Sequence, residues 1–337
     1  MILNPKTLLR TLWSRMGILR ERYSGKFYTN HTRPIKEKDI TFFSQEGSRA
    51  ISIAVVIQGP LLKTHDFTLE TVRLYKKIFP KAMIIVSTWE DEHQPYVDKI
   101  EKEGVYVIRN KKPISPGIVH INYQLTSTAA GIKKARTLGA AYVLKTRTDQ
   151  RMYSVNALRY FDAISQSFPL TIPTAQKNRL VAVSMNTFLY RPYSVSDMIM
   201  YGSIGDMERY WCIPLSEEKN MLPVVHSMVQ WSRANHAEAL LCCTFLKSLG
   251  HEPRFTLKDS WEVYRDHFCI IDKESIDLYW YKYDKDKEYR RVKYDQAYTD
   301  QEVTFREWLL LLRDFPITVP ESIINQKIGE PIKKSAV

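Results

Sequence analysis

One short stretch, Lys145-Thr146-Arg147-Thr148-Asp149-Gln150-Arg151, sets three cations around a single carboxylate. It follows directly on an apolar run, Ala140 to Leu144. Guanidinium groups pair with phosphate oxygens in a planar, two-point geometry. A carboxylate beside them can hold a divalent cation that bridges the two phosphates of a diphosphate. The expected chemistry is therefore the handling of an anionic, phosphate-bearing ligand. Asp149 is the candidate ligand for Mg²⁺ or Mn²⁺, and Arg147 is the candidate to stabilise charge on a departing diphosphate.

Other residues could complete such a site. Gln58, Gly59 and Pro60 form a breaker after an apolar run and could shape a pocket for a base and ribose. Trp89 could stack on a base or sugar, and Asn110 could hydrogen-bond one. A group transfer to a hydroxyl needs a carboxylate base. Among the acids of the second half Asp197, Asp206 and Glu238 stand out, of which Glu238 in NHAEALL and Asp206 in GSIGDMERYW are the candidates. His236, His251 and His267 stand singly, and no nucleophile–base–acid triad pattern is present.

The elements that must position these residues are legible. Ile51 to Ile57 is nearly continuous β-branched apolar sequence, as in a strand buried on both faces. Phe67, Leu74, Tyr75 and Ile78 share one helical face, and Pro80 ends that helix. Strands are expected at Ala82 to Ser87, Val105 to Ile108 and Ala140 to Thr146, with helices near Tyr96 to Glu103 and Asn122 to Leu138 between them. This β-α-β-α-β-α-β alternation predicts a parallel sheet with right-handed crossovers. Ligands of such sheets bind outside the carboxyl ends of the strands. Gln58-Gly59-Pro60, Thr88-Trp89-Glu90, Arg109-Asn110 and Arg147-Thr148-Asp149 all fall at those ends, so they converge on one edge. After Ser154 the alternation weakens. A strand at Val181 to Asn186 and a buried helix at Ala237 to Leu249 are expected there, and Tyr279 to Tyr294 alternates aromatic and charged residues.

Composition narrows the classes. The chain has 337 residues, 44% hydrophobic and 26% charged, as in ordinary globular proteins. Its net charge of +12 favours polyanionic partners. No GxGxxG follows the first strand and no GxxxxGKS/T occurs, which argues against a nicotinamide enzyme or a P-loop NTPase. The cysteines, Cys212, Cys242, Cys243 and Cys269, form no CxxC pair and suit a reducing compartment. No secretory signal and no transmembrane-length run is present, so a cytoplasmic location is expected. In the N-terminal stretch Leu8, Leu9, Leu12, Trp13, Met16 and Leu19 recur at near-helical spacing among Lys6, Arg10, Arg15, Arg20, Arg22 and Lys26, against one acid, Glu21. That describes a basic amphipathic helix able to lie on an anionic membrane surface. Three parts are expected: a basic N-terminal segment at 1–48, a catalytic domain at 49–255 and an aromatic, charged C-terminal extension at 256–337.

IQGP after the first strand, FPKAMIIVSTWE, KTRTDQR, SDMIMYGSIGDMERYW and HAEALL, in that order between about Ile53 and Leu249, resemble the WavE-type family. Its members are bacterial lipopolysaccharide- and capsule-synthesis proteins regarded as glycosyltransferases. The resemblance implies an α/β, GT-A-like (Rossmann-type) mostly parallel sheet flanked by helices, with a helical or mixed C-terminal part. It implies transfer of a sugar from a nucleotide-sugar donor to a lipid-linked oligosaccharide or polysaccharide acceptor, at the cytoplasmic face of the inner membrane. It also implies that Asp149 stands where GT-A enzymes place a DxD carboxylate, although the position two before it is Arg147. Two other functions fit the residues alone: a non-catalytic polyanion- or nucleic-acid-binding protein, and an enzyme moving a polyol phosphate from a nucleotide donor. With sugar transfer as the leading reading, nucleic acid is not an expected partner.

Overall fold

The computed structural model describes residues 5–25, 31–41, 52–217, 227–234, 236–284 and 301–319. It divides into two compact units, Met1–Ile35 and Lys36–Val337. The first contains helix α1, Pro5–Ser24.

In the second unit, β1 (Ile53–Gln58), α2 (Phe67–Ile78), β2 (Met83–Trp89), α3 (Gln94–Glu101), β3 (Tyr106–Asn110), α4 (Ile121–Thr137) and β4 (Tyr142–Arg147) follow the expected alternation. Next come β5 (Gln150–Met152), α5 (Ala157–Ser167), β6 (Leu180–Val183), β7 (Met200–Ser203), α6 (Ile204–Trp211) and α7 (Met228–Arg233). The chain continues through α8 (Ala237–Ser248), α9 (Leu257–His267), β8 (Phe268–Ile271), β9 (Leu278–Trp280), α10 (Tyr281–Asp284) and α11 (Phe305–Leu312).

Seven strands form one sheet in the order β3-β2-β1-β4-β7-β6-β8, and β5 pairs with β9 in a second, two-stranded sheet. In the large sheet only β7 runs against its neighbours. The architecture is the α/β, mostly parallel sheet flanked by helices that the sequence predicts. All six residues of β1 are buried, as a central strand covered on both faces requires.

The C-terminal part is built into this fold. The boundary expected near residue 255 does not divide it, because β8 is the seventh strand of the main sheet. Trp308 of α11 fixes this region, its indole N–H donating to the carbonyls of Tyr264 and Phe268 at 3.0 and 2.9 Å. The tail EPIKKSAV lies outside the described residues.

Helix α4 lies very close to β1. A Cβ added at Gly131 would stand 2.3 Å from Val56 Cγ1. Gly131→Ala should therefore destabilise the fold by about 1–3 kcal/mol despite alanine's better helix propensity, because the packed strand cannot retreat. Thermal denaturation checks this; an unchanged or raised melting temperature contradicts the close packing.

Candidate active site

Strand register brings the predicted tips together. Gln58 lies opposite Arg147 on one side and Ser87 on the other. Trp89 lies opposite Asn110. The carboxyl ends of β1 to β4 thus form one edge, with Asp149 in the turn that leaves β4.

That edge is sewn together by backbone. Gly59 has φ +120°, and a Cβ there would meet Thr148 Oγ1 at 3.0 Å. The Thr148 hydroxyl donates to the Pro60 carbonyl at 2.6 Å, and the Thr148 N–H to the Gln58 carbonyl at 3.0 Å. Gly59 is required here by conformation and by close approach. The Gln58-Gly59-Pro60 turn therefore fixes the loop that carries Asp149.

Arg147 holds Asp149 in a two-point pair, Nε to Oδ1 at 2.8 Å and Nη2 to Oδ2 at 3.1 Å. The Trp280 indole N–H donates to Oδ2 at 2.9 Å, and the Asp149 carbonyl accepts from the Tyr281 N–H at 3.0 Å. Burial pushes the Asp149 carboxyl up, but the charge and hydrogen bonds of Arg147, with the Trp280 bond, bring it below the usual carboxylate range. Oδ1 thus accepts one bond and Oδ2 two. Among the described residues, no group of three or more His, Cys, Asp or Glu could hold a metal ion. Among the described residues the donor set offers a resident divalent cation no cluster of protein ligands, and the Asp149 carboxylate is paired with Arg147.

One face of the sheet carries a second set of groups. Lys145 lies opposite Val56 as Arg147 lies opposite Gln58, so all four share the face covered by α4. Helical spacing aims three α4 residues at them: Gly131 at Val56, Ser127 at Gln58 and Gln124 at Lys145. The Ser127 hydroxyl donates to Gln58 Oε1 at 2.7 Å. Gln124 accepts from Lys145 Nζ at 2.9 Å and donates to Asp197 Oδ2 at 2.5 Å. The Lys145 ammonium also donates to the Asp197 and Met198 carbonyls and sits 4.4 Å from the centre of the Trp211 ring.

Asp197 precedes β7, whose first residue, Met200, pairs with Lys145. It therefore lies at the same sheet edge as Arg147. Asp197 is 4% exposed, and among the described residues its Oδ1 has no hydrogen-bond partner. Burial, then the negative charge of Glu238, raises its pKa against the pull of Lys145 and Arg147. Glu238, in the first turn of α8, lies 2.5 Å from Nδ1 of His236, and His236 packs on Trp231 at 4.5 Å. Burial works against the Glu238 charge, but the paired His236 outweighs it and keeps the carboxyl below its usual range. The two buried carboxylates are thereby pushed in opposite directions.

Burial pulls Lys145 down to about 7, with the Asp197 charge opposing. A lysine whose folded pKa lies below its unfolded value binds its proton less tightly in the native state. The contribution of Lys145 to stability should thus be least below pH 7 and rise between about pH 7 and the ordinary lysine range near 10.4. Relative to Lys145→Met, the wild-type melting temperature should gain as pH is raised from 6 to 9; a flat difference contradicts this.

Other predicted residues have structural partners. Trp89 is buried and meets Tyr123 edge-on at 5.7 Å. Asn110 donates to Ser87 Oγ at 2.9 Å and to the Thr88 carbonyl at 2.8 Å. Asp206 is not brought to the site. β7 is antiparallel to β4, so its last residue, Ser203, pairs with Tyr142 at the opposite edge. There the Asp206 carboxylate accepts from the Lys177 and Asn178 N–H groups at 3.0 Å and from the Ser203 hydroxyl at 2.7 Å. His267 pairs with Gln176 at 2.8 Å, and His251 lies 3.3 Å from Asp259. Tyr279 and Tyr281 pack on Phe67 at 6.0 and 5.2 Å; residues 285–294 of that aromatic stretch lie outside the described residues.

Residues 53–314 match the family described as WavE lipopolysaccharide synthesis. The chain belongs to the WavE family. Membership reaches beyond Leu249 to take in β8, β9 and α11, in keeping with a C-terminal part that completes the sheet. No curated protein matches the chain. Among solved structures, this WavE protein is similar to a cytidylyltransferase from Leptospira borgpetersenii serovar Hardjo-bovis, at 14% identity and TM-score 0.32, over 49% of this chain and 66% of that one. It is also similar to 4-diphosphocytidyl-2C-methyl-D-erythritol synthase from Anaerococcus prevotii, at 11% identity and TM-score 0.35, over 49% and 79%. A glycosyltransferase involved in glycosylation of the major capsid of PBCV-1 matches at 11% identity and TM-score 0.29, over 48% and 65%. Likenesses this weak say nothing of the substrate or reaction of the WavE protein.

Proposed function

We propose that this WavE protein is a glycosyltransferase that moves a sugar from a nucleotide-diphosphate donor to a lipopolysaccharide or capsular glycan acceptor. One observation carries the reading. The Arg147–Asp149 pair, Lys145 and Asp197 share the carboxyl edge of a parallel sheet, with Glu238 and His236 near enough for their charges to act on Asp197, in a member of a lipopolysaccharide-synthesis family.

In this reading the donor's diphosphate lies along the tips of β1 and β4. The turn at Gln58, Gly59 and Pro60, with Asn110, borders its nucleoside. Glu238, ionised and oriented by His236, takes the proton of the acceptor hydroxyl. The acceptor oxygen bonds to the anomeric carbon as the bond from that carbon to the diphosphate breaks. Arg147, aimed by Asp149 and Trp280, meets the negative charge that develops on the leaving diphosphate. Lys145 and Gln124 hold Asp197 beside the reacting groups. A base that acts directly on the acceptor suits inversion at the anomeric carbon.

The test is a thermal-shift screen of nucleotide sugars with EDTA or with Mn²⁺. A ligand that binds only the folded protein at a hundred times its dissociation constant stabilises it by about 2.7 kcal/mol. One donor should raise the melting temperature, and since Arg147 supplies the positive charge, both that rise and sugar transfer should persist in EDTA. A screen in which no nucleotide sugar or nucleoside diphosphate shifts the transition overturns the reading. Transfer that requires added Mn²⁺ overturns the metal-independent role of Arg147.

A further inference from the structure

Nothing in the proposed site uses α1. Leu12, Met16, Leu19 and Tyr23 recur at i, i+4, i+7 and i+11, which puts them in one stripe along the helix. They are 50, 61, 52 and 90% exposed, an uncovered apolar surface of a kind that marks an interaction site. Arg15 and Arg22, seven residues apart, share a row beside the stripe and are exposed. The helix sequence holds five cations, Lys6, Arg10, Arg15, Arg20 and Arg22, against the single acid Glu21.

We propose that α1 is an interfacial helix that lays this stripe into the boundary of an anionic bilayer, with its cations against lipid phosphates. Charge chooses the occupant. Arg15 and Arg22 beside an apolar stripe, on a helix whose sequence holds five cations and one acid, complement a surface of negative headgroups over hydrocarbon. The same cations forbid a spanning role, and among the described residues no helix is long and apolar enough to cross a membrane. The helix lies in the membrane plane, where each basic side chain near the surface adds electrostatic attraction to the anionic headgroups. A lipid-linked acceptor would be met at that surface, although lipid binding itself does not depend on the proposed transfer reaction.

The experiment is co-sedimentation of the full chain with vesicles of phosphatidylglycerol and phosphatidylethanolamine, against vesicles of phosphatidylcholine alone. The chain should sediment with the anionic vesicles, remain in solution with the neutral ones, and be released as salt is raised. The triple variant Leu12→Glu, Met16→Glu, Leu19→Glu should lose at least about tenfold in vesicle affinity with an unchanged thermal transition, since these side chains are half or more exposed. Equal sedimentation with neutral vesicles, no sedimentation at all, or a triple variant that binds as the wild type does would overturn the proposal. Because the readout is lipid binding, its failure leaves the transferase reading standing, and the reverse also holds.

Discussion

Glu238→Gln lowers kcat for sugar transfer by about 10²–10⁴-fold and leaves donor binding and the thermal transition close to wild type. Glutamine keeps the shape and can still meet His236 but cannot take a proton. The pH profile separates this role from a structural one. His236 keeps Glu238 below the ordinary carboxylate range, so its base form persists through neutral pH and is lost only as pH falls through that depressed value. Asp197 is shifted the other way. If Asp197 were the base, activity would fall at a clearly higher pH on acidification. The two carboxylates influence each other, so the apparent values belong to the pair; the sign of the displacement still distinguishes them. Full turnover by Glu238→Gln would remove Glu238 from the mechanism.

Arg147→Ala is the second large effect. Loss of one preorganised donor to developing charge costs about 10²–10³-fold in kcat. Arg147→Lys should recover only part of this, because an ammonium restores charge without the two-point geometry to Asp149. The variant should still fold, since the Asp149 side chain is 21% exposed and retains its bond from Trp280. If Asp149 acts through Arg147, adding Asp149→Ala to Arg147→Ala makes the rate no worse, whereas two independent roles would multiply. Steady-state kinetics on the two single variants and the double variant decides between these.

β1, β2 and β4 are legible in the sequence because parallel strands buried on both faces leave apolar runs stopped by a polar tip, while the edge strand β3, with no buried residue, shows only as a short apolar run between turn residues. The partners of those tips are less so. Lys145 looks like the first residue of a surface cluster; it is buried because β4 is central and Trp211 covers it. Strand parity was the available signal, since Lys145 and Arg147, two apart, must share a face. Asp197 stands among the second-half acids, but nothing local shows that its backbone holds Lys145. Asp206 is the opposite case. An acid after a glycine invites a site reading, yet the reversed direction of β7 carries it to the far edge, and strand direction leaves no mark in a four-residue run. Trp280 lies 131 residues from Asp149 and reaches it only through the pairing of β5 with β9, a contact that local pattern does not encode.

The most direct measurement is a crystal structure with a nucleoside diphosphate bound. The account predicts phosphoryl oxygens within hydrogen-bonding distance of Arg147, at the tips of β1 and β4, with Glu238 facing the space where the sugar would follow. A nucleotide bound at the opposite edge beside Asp206, or with its phosphates turned away from Arg147, would contradict it.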